Sequence, residues 1–232
     1  MGEHPTPVRM RTELWLIRHA ESTGNRDGRL QGQEDLPLSP LGHRQARALA
    51  DRLVKAHRRT HFTALYSSDL IRTRETADSI ALACSLQVVT DRRLREVDVG
   101  TWSGLTPNEI AERHPAEWTA WQARDPLMRR GGGENYQDAH DRITPALNEL
   151  AERHIGQRIA VVTHGGILRA YLAGLIGLPL GNIWHLALGN TSLTRVRPFE
   201  VAVGGSSPRQ GRVLCLNDCT HAEDIALRSG EF

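Results

Sequence analysis

An α/β/α sandwich built on a mostly parallel sheet, with an added antiparallel strand, is the fold that this 232-residue sequence predicts. Three observations predict it. Short apolar runs at 14–17, 64–67, 86–90 and 159–163 alternate with longer segments of helical character, the pattern of repeated strand–helix units. The run Ile159-Ala160-Val161-Val162-Thr163 is rich in β-branched residues and shows no polar alternation, which suits a strand covered on both faces and hence a parallel sheet. The chain then closes on two extended stretches, 192–203 and 212–216, separated by a Gly/Ser/Pro-rich loop at 204–211, which read as an antiparallel hairpin.

Taken in order, residues 14–17 form the first strand, which ends on Arg18-His19 and a loop containing Gly and Asn. Ser39-Pro40 sets an N-cap before a proline at the first helical position, opening a helix to about residue 56. Residues 64–67 make a second strand, Asp69 is the expected cap of a helix reaching about Cys84, and a third strand lies near 86–90. Thr106-Pro107-Asn108-Glu109 is a capping box whose helix should break at Pro115, and Trp118 and Trp121 share one side of the continuation. Gly131-Gly132-Gly133 reads as a flexible joint. Because 106–133 stands outside the strand–helix alternation and ends in that joint, it is expected to be a movable cover that sets substrate choice. A long helix at 135–154 with a kink or bend at Pro145, the strand at 159–163 ended by His164-Gly165-Gly166, and a helix to about Ile176 complete the alternation.

Hydrophobic residues at 39% and charged residues at 24% describe a globular chain, expected to be one domain over 13–222 between flexible tails at 1–12 and 223–232. The net charge of +2 is close to neutral, and the Arg clusters at 58–59, 92–95 and 129–130 lack interleaved aromatics, so no nucleic-acid partner is expected. No stretch reaches the roughly 20 apolar residues of a membrane span, and 1–12 has no apolar signal-peptide core, so no membrane association is expected. Cys84, Cys215 and Cys219 form no CxxC pair, and their odd number argues against a secreted disulfide framework; a reducing cytoplasm fits best. No cofactor and no metal are expected. His57 and His61, the one pair at helical ligand spacing, enclose Arg58, Arg59 and Thr60 where an HExxH helix places a carboxylate. A homodimer stays open.

Parallel sheets gather ligands at the carboxyl ends of their strands. His19 and His164 each stand at that end of a strand, and Arg72 lies in the first turn of the helix after another. A guanidinium forms paired hydrogen bonds with phosphate oxygens, so Arg18-His19 suits an incoming phosphate better than a carbonyl. The bland alternatives are a surface Arg-His pair and an Arg72–Glu75 ion pair within one helix. An arginine in a first turn nevertheless works against the helix dipole unless an anion is near.

Further motifs follow in order. They are Arg18-His19-Ala20-Glu21-Ser22-Thr23-Gly24-Asn25, Gln31-Gly32, Leu38-Ser39-Pro40-Leu41-Gly42, Ser67-Ser68-Asp69-Leu70-Ile71-Arg72-Thr73-Arg74-Glu75-Thr76-Ala77, Arg95-Glu96-Val97-Asp98-Val99-Gly100-Thr101-Trp102-Ser103-Gly104, Gly132-Gly133-Glu134 and Val162-Thr163-His164-Gly165-Gly166. Together they resemble the histidine phosphatase superfamily, with its phosphoglycerate mutase-like fold, over nearly the whole chain from Leu14 to about His221; Ala20 stands where the family usually has Gly.

The resemblance implies that His19, Glu96 and His164 are catalytic: His19 becomes phosphohistidine, and Glu96 protonates the departing oxygen and later activates water. Arg18, Asn25, Arg72, His164 and Gly165 would surround the phosphate. Gln31, Arg129 and Arg130 are further candidates for substrate contact, the two arginines because they flank the glycine joint and could meet a second acidic group. The segment 97–104 resembles the phosphatase branch, and residues 216–221 are similar to the tail of small bacterial phosphatases. The implied activity is metal-independent hydrolysis of a small phosphorylated metabolite. Phosphoglycerate mutase is the alternative, and a non-catalytic phospho-ligand binding module the more distant one.

Overall fold

The computed structural model describes residues 9–10, 12–198, 201–202, 211–222 and 225. Most of the two expected tails, and the hairpin loop at 204–210, lie outside the described residues. Six strands form the sheet: β1 (Glu13–Arg18), β2 (Phe62–Ser67), β3 (Val88–Thr90), β4 (Arg158–Thr163), β5 (Leu193–Arg197) and β6 (Arg212–Asp218), in the order β3-β2-β4-β1-β5-β6. The pairs β3·β2, β2·β4 and β4·β1 are parallel, whereas β5 runs antiparallel to both β1 and β6. The expected first limb of the hairpin, 192–203, is divided: β5 stops at Arg197, before Pro198, and Val201–Ala202 pairs instead with Arg9–Met10. Proline cannot donate to a ladder, so a strand ends naturally there.

Helices cover both faces. Trp15 and Ile17 of β1, with Leu65, Ala160 and Val162, pack on Leu49 and Leu53 of α1 (Pro40–Arg59) and Ala77 and Ile80 of α2 (Ile71–Cys84). Leu14 and Leu16, with Ile159 and Val161, face the other way onto α5 (Tyr136–Arg153) and α6 (Gly165–Ile176). Both sides of the central strands are therefore buried, which is why their sequences are nearly continuous apolar runs. Between β3 and α5 lie α3 (Pro107–Arg113) and α4 (Pro115–Gln122), broken at Pro115 as the sequence predicts, while α5 runs through Pro145 as a single helix. Trp102, fully buried, packs at ring-centroid distances of 6.3 Å from Trp118 and 6.2 Å from Trp121.

One local expectation changes. Asp69 does not cap α2, because Arg95 takes both of its carboxylate oxygens at 2.7 and 2.6 Å; Asp35, from a distant loop, instead accepts the Ile71 N–H at 2.6 Å. At 131–133, the expected joint, two of the three glycines are closely packed. A Cβ on Gly131 would lie 2.5 Å from the Val99 carbonyl, and one on Gly133 would lie 2.4 Å from that of Asp98. At Gly131 and Gly133 two loops pack backbone against backbone, with Gly131 at φ 55°, whereas a Cβ on Gly132 would meet nothing within 4 Å.

Candidate active site

The register of β1 and β4 sets the site. Arg18 lies opposite Thr163, so the next residues, His19 and His164, leave adjacent strands at the same level. Their rings meet edge to face with centroids 5.1 Å apart. His19 Nδ1 lies 2.7 Å from its neighbour's carbonyl, Ala20 O. A carbonyl only accepts, so the proton sits on Nδ1 and the lone pair on Nε2. Burial first, then the charges of Arg72 and Arg18, hold the His19 pKa well below its usual value. His19 is thus neutral and able to attack.

The cations are fixed by backbone carbonyls. Arg18 Nη1 donates to Leu188 O at 2.5 Å; Arg72 donates from Nη1 to Glu34 O at 2.6 Å and from Nη2 to Gly32 O at 2.7 Å. The Nε of each is buried without a protein partner. Burial lowers both pKa values to about 10, so both remain charged at neutral pH. His164 Nε2 meets the Ser68 hydroxyl at 3.0 Å, while its Nδ1 is buried and unpartnered. Its pKa is also held well below the usual value, by burial and then by Arg72.

Asn25 Oδ1 accepts from the Ser22 N–H and Asn190 Nδ2 at 3.2 and 3.3 Å and lies 3.0 Å from the Ser22 hydroxyl, which fixes the amide with Nδ2 as its remaining polar end. Glu96 is held at the N-terminus of α6: Oε1 accepts from Val97 N at 2.9 Å and Ile167 N at 2.8 Å, and Oε2 accepts from Gly166 N at 3.0 Å. Oε1 is saturated and Oε2 keeps a free lone pair. The two glycines that open α6 allow this approach. A Cβ on Gly165 would lie 3.2 Å from Arg18 Nε, and one on Gly166 would lie 2.7 Å from Glu96 Oε1.

Arg18, His19, Asn25, Gln31, Arg72, Glu96, Arg130 and Gly165 line one cavity of about 110 Å³. Gln31 uses its carbonyl oxygen to accept from Ser22 Oγ at 2.8 Å. Arg129 does not line the cavity: its side chain is exposed, pairs with Asp138 at 2.8 Å and donates to Gly133 O. The arginine next to it, Arg130, turns inward, so of the two arginines expected at the site the fold brings only this one to the cavity.

Sequence reasoning passed over Arg169, Ser68 and Asn190. Arg169 lines the cavity and was signalled only by being the sole cation on the otherwise apolar α6. Ser68 orients His164, and Asn190 donates to His19 O at 3.0 Å as well as to Asn25. Asn190 precedes Thr191, whose φ of 59° is a left-handed conformation that the sequence does not announce.

Relatives share this framework. Phosphoserine phosphatase 1 of Hydrogenobacter thermophilus is 35% identical over 217 residues, covering 94% of this chain and 97% of that protein. A probable phosphoglycerate mutase of Proteus mirabilis is 39% identical over 222 residues, 93% of this chain and 97% of that protein. The solved mycobacterial glucosyl-3-phosphoglycerate phosphatase, in complex with VO3, superposes with a TM-score of 0.74 at 32% identity, over 89% of this chain and 98% of its own. The model of the histidine phosphatase superfamily (branch 1) matches residues 14–202, the stretch that supplies every residue lining the cavity, and the chain belongs to that superfamily.

Proposed function

We propose that the protein hydrolyses a small phosphomonoester without metal, through a phosphohistidine at His19, with Arg18, Asn25, Arg72 and His164 around the phosphate and Glu96 as acid and base. The observation that carries this reading is the pairing of a neutral His19, its Nε2 lone pair free, with two buried guanidiniums whose Nε groups have no protein partner. Phosphoryl transfer spreads charge over three peripheral oxygens, and fixed donors in a dry site stabilise that charge most effectively.

In the first step His19 Nε2 bonds to phosphorus as the ester P–O bond breaks, and a proton on Glu96 Oε2 passes to the departing oxygen. In the second, water gives a proton back to Glu96 Oε2 while its oxygen attacks phosphorus, releasing inorganic phosphate and restoring neutral His19. Oε2 takes this role because Oε1 already accepts from two N–H groups. The names of the phosphatase relatives support hydrolysis over isomerisation.

The test is single-turnover labelling with a ³²P-monoester in the presence of a chelator. Base-stable, acid-labile label on the wild type, its absence in His19→Ala and release of inorganic phosphate are expected. Label that persists in His19→Ala, or loss of activity on chelation, overturns the assignment. Conversion of 3-phosphoglycerate to the 2-isomer without phosphate release would favour the mutase reading.

A further inference from the structure

We propose that Arg130 and Arg169 form a second anion site in the cavity, and that the substrate is a phosphomonoester carrying a carboxylate. The inference rests on the hydrolase reading above and names the class of its substrate. Both arginines line the cavity that holds His19, yet neither belongs to the group placed around the phosphate. Both are more than nine-tenths buried, at 6% and 8% exposed. Neither forms an ion pair among the described residues, although arginines are seldom buried without a counter-charge.

Their anchoring is uncharged and aromatic. Arg130 stacks over the Tyr136 ring at 4.3 Å and donates from Nη1 to the Tyr136 hydroxyl at 3.1 Å, while its Nη2 is buried with no partner. Arg169 donates from Nε to Leu186 O at 2.9 Å and lies 5.8 Å from the Trp184 ring. Tyr136 and Trp184 meet edge to face at 5.5 Å, so the two rings join the arginines into one shelf. Arg169 also stands near enough to Arg18 to be the leading charge that depresses it, which ties the shelf to the phosphate end.

Stacking holds a guanidinium plane while leaving its edge free to donate, and a planar fork matches a carboxylate. Both arginines line the same cavity as Arg18, His19 and Arg72, so a single small ligand can present its phosphate to one group and a carboxylate to the other.

The experiment compares O-phosphoserine with O-phosphoethanolamine, which differ only by the carboxylate. Wild type should favour the former in kcat/KM by about 10- to 100-fold, the range expected for hydrogen bonds to a charged group. In Arg130→Met and Arg169→Met that ratio should fall towards one, with the loss in KM for phosphoserine. A wild-type ratio near one, or a ratio the variants leave intact, overturns the proposal. A preference for bisphosphates over phosphoserine, lost in the same variants, overturns the carboxylate assignment.

Because replacing a buried arginine can unfold the chain, a second measurement needs no variant. 2-Carboxyethylphosphonate should inhibit wild type about 10-fold more strongly than propylphosphonate, and equal inhibition refutes the site. p-Nitrophenyl phosphate separates the failures: no hydrolysis of it sinks the hydrolase reading, whereas hydrolysis without carboxylate preference sinks this inference alone.

Discussion

Removing the Ser68 hydroxyl should cripple phosphate binding through His164 without touching substrate. Ser68 is fully buried, and its Oγ accepts the Leu70 N–H at 3.3 Å, so its one proton is available to His164 Nε2 at 3.0 Å. A neutral imidazole that accepts at Nε2 carries its hydrogen on Nδ1, the nitrogen that is buried and unpartnered. In the proposed mechanism the hydroxyl thereby keeps His164 a donor towards the phosphate, which makes Ser68 a positioning residue. Ser68→Ala leaves Nε2 without a partner and lets the ring adopt the other tautomer. An orphaned buried polar group costs about 1–3 kcal/mol, which corresponds to about 5- to 150-fold in kcat/KM. The assay is kcat/KM for p-nitrophenyl phosphate together with ¹⁵N shifts of the His164 ring. A loss below about 2-fold, or a wild-type ring protonated on Nε2, refutes the reasoning.

The remaining predictions concern pH and the opening of α6. His19 and His164 are neutral in the fold but titrate near 6.5 when unfolded. The unfolded chain therefore binds more protons below that pH, and stability should fall as pH falls, by about 2 kcal/mol between pH 6 and pH 5 for the two together. Denaturant midpoints at the two pH values check this, and a flat profile refutes it. Gly166→Ala places a Cβ 2.7 Å from Glu96 Oε1 and should displace the proposed acid. Its turnover of an alkyl phosphate should then drop at least about 10-fold more than that of p-nitrophenyl phosphate, whose leaving group needs little protonation; equal losses would remove Glu96 from the acid role.

What could be read from the sequence was local or repetitive. The strand ends that deliver His19 and His164 were legible because an apolar run stops on a polar residue, and the Pro115 break because proline acts on its own neighbours. Most of what escaped depends on residues distant in the chain. Asp69 has the chemistry of a cap, but Arg95, 26 positions away, competes for it and wins with a bidentate pair. The close packing of Gly131 and Gly133 is visible only once the backbone at 98–101 is laid against them. Arg129 and Arg130 are indistinguishable by composition, and only the packing of Tyr136 decides which one turns inward.

The same distance explains how the cavity keeps its charge. Arg18 is anchored by a carbonyl 170 positions away, Arg72 by two carbonyls about 40 positions earlier, and Arg169 by one 17 positions later. A carboxylate partner would fix a guanidinium equally well, but it would cancel the charge and compete with an incoming anion. A carbonyl fixes the geometry and leaves the cation whole. Glu96, the one carboxylate that lines the cavity, is bound by backbone N–H groups rather than by the arginines. Positive charge is thus held in place before the phosphate enters, so little reorganisation remains to be done as the transition state forms.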